Sequence, residues 1–429
     1  MANIRERNGS YQISVYVGED AMGKKLFERT TFRPTQDTPK KRSDEVNDFA
    51  REYEKRVKEG LYLTGDKLTF SHFVEIWKEE WGKKNLTTVG FEDYNRLLNS
   101  RIMDKLGKLK LSKITALHIQ SVYNELEKNG LAPKSIRKTH SAVNSVFKYA
   151  FRMGTIKENP CDRIELPKMK KNTDLRVWTV PQAKKFLDVL EEEYSVSYSS
   201  SKRRIKTTGT EFTVKAYTTK KHDHFQFRVL FHLAIFGGFR RGEIVALKWS
   251  DIDFENKSVS INKAFAKTKS KGQILKDTKT VSGNRKVVLP SKCFDLLSEW
   301  KNEQKRLSLN LGTEWKGQRA KNYDDNFIFI QTDSGLPMNL DTPYHKFKEI
   351  INRHNLSCTE EEDKLPEIRF HDLRHVSASL LLSENVDIVT VSRRLGHAQV
   401  STTLDVYAHA FEKKDVTASD TLERLFKNA

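Results

Sequence analysis

A chain of 429 residues with a net charge of +19 is too long for one small core, and its basic excess points to a polyanionic partner. Cys161, Cys293 and Cys358 lie far apart with no C-x-x-C pair, which argues against a disulfide framework or a zinc ribbon. No run approaches the roughly eighteen apolar residues of a membrane span, the first residues lack a signal-peptide pattern, and no phosphate-binding glycine motif is present, so membrane insertion and nucleotide hydrolysis are not expected.

Residues 1–33 read as β-structure. Asn8-Gly9 is a type I′ hairpin signal between Ile4–Arg7 and Ser10–Val17, where Tyr11, Ile13, Val15 and Val17 alternate with Gln12, Ser14 and Tyr16. A turn through Glu19–Gly23 leads to a third run, Lys24–Phe32. Pro34 and Pro39 punctuate the chain, and Val46, Phe49, Tyr53 and Val57 then form one stripe of a helix that stops before Gly60. Three strands under one helix make a small domain, 1–62. Its polar residues Arg5, Arg7, Gln12 and Arg29 suit a sheet face laid in a DNA major groove.

From Thr69 the pattern turns helical. Phe70, Phe73, Trp77 and Trp81 form one stripe, and Thr87 or Thr88 starts a second helix carrying Tyr94, Leu97, Leu98 and Ile102. Thr115 is the expected N-cap of Ala116–Lys128, which Gly130 closes, and Pro133 opens a fourth helix running to Gly154. The aromatic stripes read as core. Residues 66–172 hold 21 basic against 12 acidic side chains, the densest basic excess in the chain. Lys134, Arg137 and Lys138, with Lys148 and Arg152, are the candidate phosphate contacts of a four-helix domain, 66–165.

Residues 166–176 are basic and polar and read as a linker into a third domain, 174–429. Thr179-Val180-Pro181-Gln182 is a capping-box signature. Residues 195–223 break every periodicity and read as an insertion, either a loop or a hairpin close to DNA. Phe225–Phe236 returns to helix, strands are expected around Ser258–Ile261 and Lys286–Leu289, and helices around Cys293–Leu307 and Tyr344–Asn352. The whole reads as a multidomain α+β chain: a three-stranded sheet with a helix, a four-helix domain, and a mainly helical domain with a small antiparallel sheet.

The chemistry gathers near the end: Arg369-Phe370-His371-Asp372-Leu373-Arg374-His375, then Leu395-Gly396-His397, then Tyr407-Ala408-His409. Gly396 lets a helix stop and would leave His397 at an exposed end. Taken singly, Tyr407 reads as a packing residue and His397 as a helix cap. Together, H-x-x-R-H, L-G-H and a tyrosine ten residues further on resemble the active site of the tyrosine recombinases, the phage and transposon integrases. That family also has an arginine in a G-[LF]-R-x-x-E context, matched by Arg240 and Glu243 in Gly237–Glu243, and a lysine on a turn between the two arginines, matched by Lys279. His371, His375 and His397 also raise a shared zinc ion, but Arg374 between them disfavours a cation.

The resemblance implies that Tyr407 is the nucleophile forming a 3′-phosphotyrosyl ester, that Arg240 and Arg374 neutralise the phosphate, and that Lys279 protonates the leaving 5′-oxygen. It makes His371 an acid/base or phosphate-orienting group, His397 a donor to a phosphate oxygen, and Glu243 a brace for Arg240. No cofactor and no metal is expected. The first domain resembles an arm-type DNA-binding domain and the second a core-binding domain. The implied partners are double-stranded attachment sites of core and arm type, three further copies in a homotetramer, a directionality factor or excisionase, and a host DNA-bending protein. The setting would be a bacterial cytoplasm at the nucleoid, with no membrane. A type IB topoisomerase-like enzyme and a catalytically inactive DNA-binding regulator are the alternatives. Val416, Leu422, Leu425 and Phe426 mark an apolar tail that needs a partner surface, either its own catalytic domain or, as the resemblance implies, a neighbouring subunit.

Overall fold

The computed structural model describes residues 2–7, 9–19, 25–36, 38–58, 68–169, 177–204, 209, 211–277, 283–407, 423 and 426–427. The expected turn at Glu19–Gly23 beyond Glu19, the linker at 170–176, Lys279 and most of the tail lie outside the described residues, as does the side chain of Tyr407. The chain divides into two compact units, 1–171 and 172–429.

In the first unit, β1 (Asn3–Arg7), β2 (Ser10–Glu19) and β3 (Lys25–Phe32) form an antiparallel sheet in sequence order. Gly9, at φ +73°, supplies the left-handed backbone needed to turn β1 into β2. Period-2 alternation then sorts the side chains. Ile13 and Val15 are buried, as are Val46 and Ala50 of α1 (Pro39–Lys58), which packs on β2 and β3; Phe32 stacks on Phe49 with centroids 4.2 Å apart. Arg5 pairs with Gln12, Gln12 with Thr31, and Ser14 with Arg29. That register puts Arg5, Arg7, Gln12 and Arg29 on one face, opposite Ile13 and Val15. The same face carries an exposed edge-to-face pair, Tyr16 and Phe27.

The helical part of this unit contains α2 (Phe70–Trp77), which runs through a π-turn at Lys78–Gly82 into α3 (Lys83–Asn85), then α4 (Thr88–Arg101), α5 (Met103–Leu106), α6 (Ala116–Lys128) and α7 (Pro133–Arg152). Thr69 caps α2, Thr87 caps α4, and Thr115 with His118 forms the box that starts α6. Phe70, Phe73 and Trp77 are buried with Phe147. Lys134, Arg137, Lys138, Lys148 and Arg152 are exposed, yet Lys138 pairs with Asp93 and Arg137 donates to the Pro167 carbonyl at 3.0 Å. These two cations of the expected phosphate set therefore already have protein partners.

The second unit begins with α8 (Val180–Val189), started by the Thr179–Gln182 box. The insertion is a hairpin: β4 (Tyr194–Tyr198) pairs with β7 (Tyr217–Lys221), and β5 (Ser201–Arg204) with β6 (Glu211–Val214). Its base is tied down by buried Asp223, which holds Lys346 and Arg353, while Arg353 also covers the Tyr194 ring at 3.7 Å. Next comes α9 (Phe225–Gly237), buried around most of its circumference, and the short α10 (Arg241–Val245). β8 (Ile252–Asp253), β9 (Ser258–Ile261) and β12 (Arg285–Val288) form a sheet in the order β12-β9-β8. A hairpin of β10 (Lys263–Thr268) and β11 (Gly272–Asp277), not expected from the sequence, lies between β9 and β12. The remaining helices are α11 (Ser291–Asn310), α12 (Thr342–Ser357), α13 (Asp372–Ser383), α14 (Ile388–Leu395) and α15 (Val400–Tyr407). No helix among the described residues is long and apolar enough to cross a membrane.

Candidate active site

Three helix ends converge to build the site. α9 stops at Gly238, which takes φ +61° and whose missing side chain leaves room for Leu395; a Cβ there would lie 2.8 Å from the leucine methyl. Two residues later Arg240 is the N-cap of α10, and its backbone N–H donates to Glu243 Oε2 at 2.9 Å. α14 ends on Gly396 at φ +69°, and the His397 N–H turns back to the Ser392 carbonyl at 3.1 Å. The third end is the start of α13, where His371 is the N-cap and Arg374 sits in the first turn.

Arg374 joins the other two ends. It is only 3% exposed; its Nη1 donates to the Gly238 carbonyl at 2.8 Å and its Nη2 to the Leu395 carbonyl. Arg240 Nη2 donates to the next carbonyl along, Gly396, at 3.1 Å, and its Nη1 to Glu243 Oε1 at 2.7 Å. Because the two guanidiniums grip successive carbonyls, they are brought together beside His397. Arg374 is enclosed, whereas the Arg240 side chain stays 40% exposed.

The imidazoles sit in this positive field. Burial, reinforced by Arg374 and Arg240, pushes His397 down to about 4. Burial and then neighbouring His371 push His375 down to about 4 as well, with the two rings edge-to-face at 5.6 Å. His371 is lowered by desolvation and then by Arg374, although the residue keeps an exposed edge. Burial and the neighbouring guanidiniums thus disfavour the protonated form of all three rings. His397 is half-buried rather than exposed as the sequence suggested, because its Nδ1 meets the Oγ1 of fully buried Thr403 at 2.8 Å.

One further residue belongs to this constellation. Arg285 donates to both Glu243 oxygens, at 3.2 and 2.8 Å, and through Nε to the Arg394 carbonyl at 2.8 Å. Sequence reading passed over it, although the alternation Arg285, Val287, Leu289 at the inward positions of a strand was a signal: an inward arginine needs a buried carboxylate.

Lys279 lies outside the described residues. Tyr407 is the last residue of α15, which packs on α14, and its side chain lies outside them too. Among the described residues no three His, Cys, Asp or Glu side chains are grouped to hold a metal ion.

Residues 213–414 match the model of the phage integrase family, and residues 69–127 match the phage integrase N-terminal SAM-like domain. A tyrosine recombinase XerC-like protein of Caldanaerobacter subterraneus is 27% identical over 440 residues, covering 98% of each chain. The ICEBs1 integrase of Bacillus subtilis is 27% identical over 421 residues, covering 97% of this chain and 98% of the relative. The fold is similar to that of the Tn1549 transposon integrase solved with transposon right end DNA, at TM-score 0.59 and 19% identity, over 83% of this chain and 99% of that one. With matches in both its helical and its arginine-bearing parts, and full-length relatives named as recombinase and integrase, the chain belongs to the phage integrase family and is a tyrosine-type site-specific recombinase.

Proposed function

We propose that this recombinase integrates and excises a mobile DNA element by cutting and rejoining DNA through a 3′-phosphotyrosyl intermediate. The observation that carries this reading is the convergence of Arg240 and Arg374 on the adjoining carbonyls of Gly396 and Leu395, next to His397. Two guanidinium forks at one point match the non-bridging oxygens of a phosphodiester and remain charged at every working pH. Tyr407 attacks phosphorus through its phenolic oxygen, giving up its proton to a base such as His371. The P–O5′ bond breaks, and Lys279 protonates the departing oxygen. The phosphotyrosyl ester conserves the bond, so a 5′-hydroxyl of a second strand reverses the steps and reseals the DNA without a nucleotide cofactor.

His397 acts in this scheme as a neutral donor. To present Nε2–H to a phosphate oxygen its Nδ1 must accept, and the Thr403 hydroxyl is the donor that fixes this tautomer. Thr403→Val should slow covalent complex formation by roughly fivefold, the worth of one hydrogen bond of about 1 kcal/mol. Thr403→Ser should restore it; a valine variant as fast as the parent would remove Thr403 from the mechanism.

The proposed modules are an arm-binding domain, 1–62, a core-binding domain, 66–165, and a catalytic domain, 174–429. The shared face of Arg5, Arg7, Gln12 and Arg29 supports major-groove binding by the first, and the exposed Lys134, Lys148 and Arg152 support backbone contacts by the second. The working form is a homotetramer on attachment-site DNA, aided by a directionality factor and a host DNA-bending protein. The ICEBs1 integrase and the Tn1549 integrase–DNA complex support a mobile element as the substrate.

A nicked suicide duplex carrying one end of the element provides the test. It should give an SDS-resistant protein–DNA band whose yield is unchanged by EDTA. Efficient relaxation of a supercoiled plasmid lacking any attachment site would favour topoisomerase-like action instead, and binding with no covalent band would contradict the reading.

A further inference from the structure

Arg285 is placed by the sheet, not by a loop. It is the first residue of β12, paired with Ile261 of β9, and it points to the inward side with Val287 and Leu289. Its side chain is only 6% exposed and its guanidinium lies 5.8 Å from the centre of the Phe239 ring. Nη1 donates to Glu243 Oε1 and to the Gly283 carbonyl, both at 3.2 Å, Nη2 donates to Glu243 Oε2 at 2.8 Å, and Nε donates to the Arg394 carbonyl at 2.8 Å. With Nε, Nη1 and Nη2 all donating to protein acceptors, Arg285 acts through the groups it holds.

Its partners explain what it does. Glu243 is 2% exposed and takes four bonds: Arg240 N–H and Arg285 Nη2 on one oxygen, Arg240 Nη1 and Arg285 Nη1 on the other. With Arg285 present the trio carries a net positive charge, and the surplus falls on Arg240, the more exposed member. Without Arg285, Glu243 would neutralise Arg240 and pull it inward. Arg285 also ties this pair to α14 through the Arg394 carbonyl, two residues before Gly396, where Arg240 makes its own contact.

We propose that Arg285 is a positioning residue for strand cleavage: it supplies the countercharge for Glu243 and fixes Arg240 against the end of α14, so that Arg240 meets the scissile phosphate charged and aligned. This rests on the reading above that Arg240 contacts that phosphate.

The test compares full-length wild type, Arg240→Ala, Arg285→Ala and Arg285→Lys in covalent trapping. Each is run on a suicide duplex with an ordinary scissile phosphodiester and on one with a methylphosphonate there, which removes the negative charge that Arg240 has to meet. On the phosphodiester, Arg285→Ala should slow cleavage on the order of a hundredfold, as expected for a misplaced catalytic group, with half-site affinity within about twofold of wild type because phosphate contacts elsewhere carry binding. On the methylphosphonate, Arg240→Ala and Arg285→Ala should both approach wild type. Arg285→Lys, which keeps the charge but cannot hold Glu243 and the Arg394 carbonyl at once, should fall between wild type and alanine on the phosphodiester.

If Arg285→Ala is slow on both substrates while Arg240→Ala is rescued, Arg285 serves folding only and the proposal fails. Should Arg285→Ala melt below the assay temperature, the lysine variant decides the same question. An Arg285→Ala enzyme as fast as wild type also overturns it. Full activity of Arg240→Ala on the phosphodiester would instead overturn the underlying reading of Arg240.

Discussion

Replacing Arg374 with alanine is expected to abolish measurable cleavage and to lower the melting temperature of the second unit. The catalytic loss follows from removing a charged donor from the transition state, on the order of a hundredfold or more. The stability loss has a separate cause. Arg374 is buried and holds the last carbonyls of two helices, Gly238 after α9 and Leu395 at the end of α14. Two charge-assisted bonds of about 1.5–3 kcal/mol each translate into roughly 6–24 °C at about 2–4 °C per kcal/mol in a domain of this size. Arg240→Ala should match it in cleavage but shift the melting temperature much less, because Arg240 is partly exposed and Glu243 keeps Arg285. Differential scanning fluorimetry beside covalent trapping separates the two effects. An Arg374→Ala protein that melts with wild type would show that the carbonyl contacts contribute nothing.

Glu243→Ala is expected to destabilise the second unit about as strongly as Arg374→Ala. It would leave Arg285 buried with no carboxylate, a cost of about 3–5 kcal/mol. The pH dependence gives an independent check. Burial by itself would raise the Glu243 carboxyl, but hydrogen bonds and charge from Arg285, and then Arg240, hold it below the usual carboxylate range. A carboxyl lowered in the folded state adds stability that is complete above its unfolded value, about 4.3, and is lost as the pH falls toward the folded value. The stability gap between wild type and Glu243→Gln should therefore be full at pH 6 and narrow as the pH drops below about 4.5. A gap constant across that range would mean that Glu243 is not ionised in the fold.

Local signals in the sequence carried far. Thr115, Thr179 and Pro133 start helices where their capping chemistry says they should, because a cap is decided by the few residues beside it. Gly9 and the alternation from Ser10 were enough for the first hairpin and for which residues share its polar face. The β10–β11 hairpin was hidden because Lys263–Thr268 alternates only weakly and both its faces are partly exposed. Arg285 was missed for another reason: its partners lie 42 residues before it and 109 after it, and no window of sequence joins them. The same distance problem explains His397. Its position at a helix end was legible from Gly396, but its burial depends on Thr403 folding back from α15. Lys138 looked like a phosphate contact until Asp93, on α4, was brought beside it.

Peptide mapping of the trapped adduct tests whether Tyr407 makes the covalent bond to DNA. The full chain is reacted with a suicide core-site duplex, digested with protease and nuclease, and the modified residue is located by mass spectrometry. The expected result is a single 3′-phosphotyrosyl adduct at Tyr407, a released 5′-hydroxyl end, and no adduct from Tyr407→Phe despite unchanged duplex binding. An adduct on any other residue, or one joined through a 5′-phosphate, would contradict it.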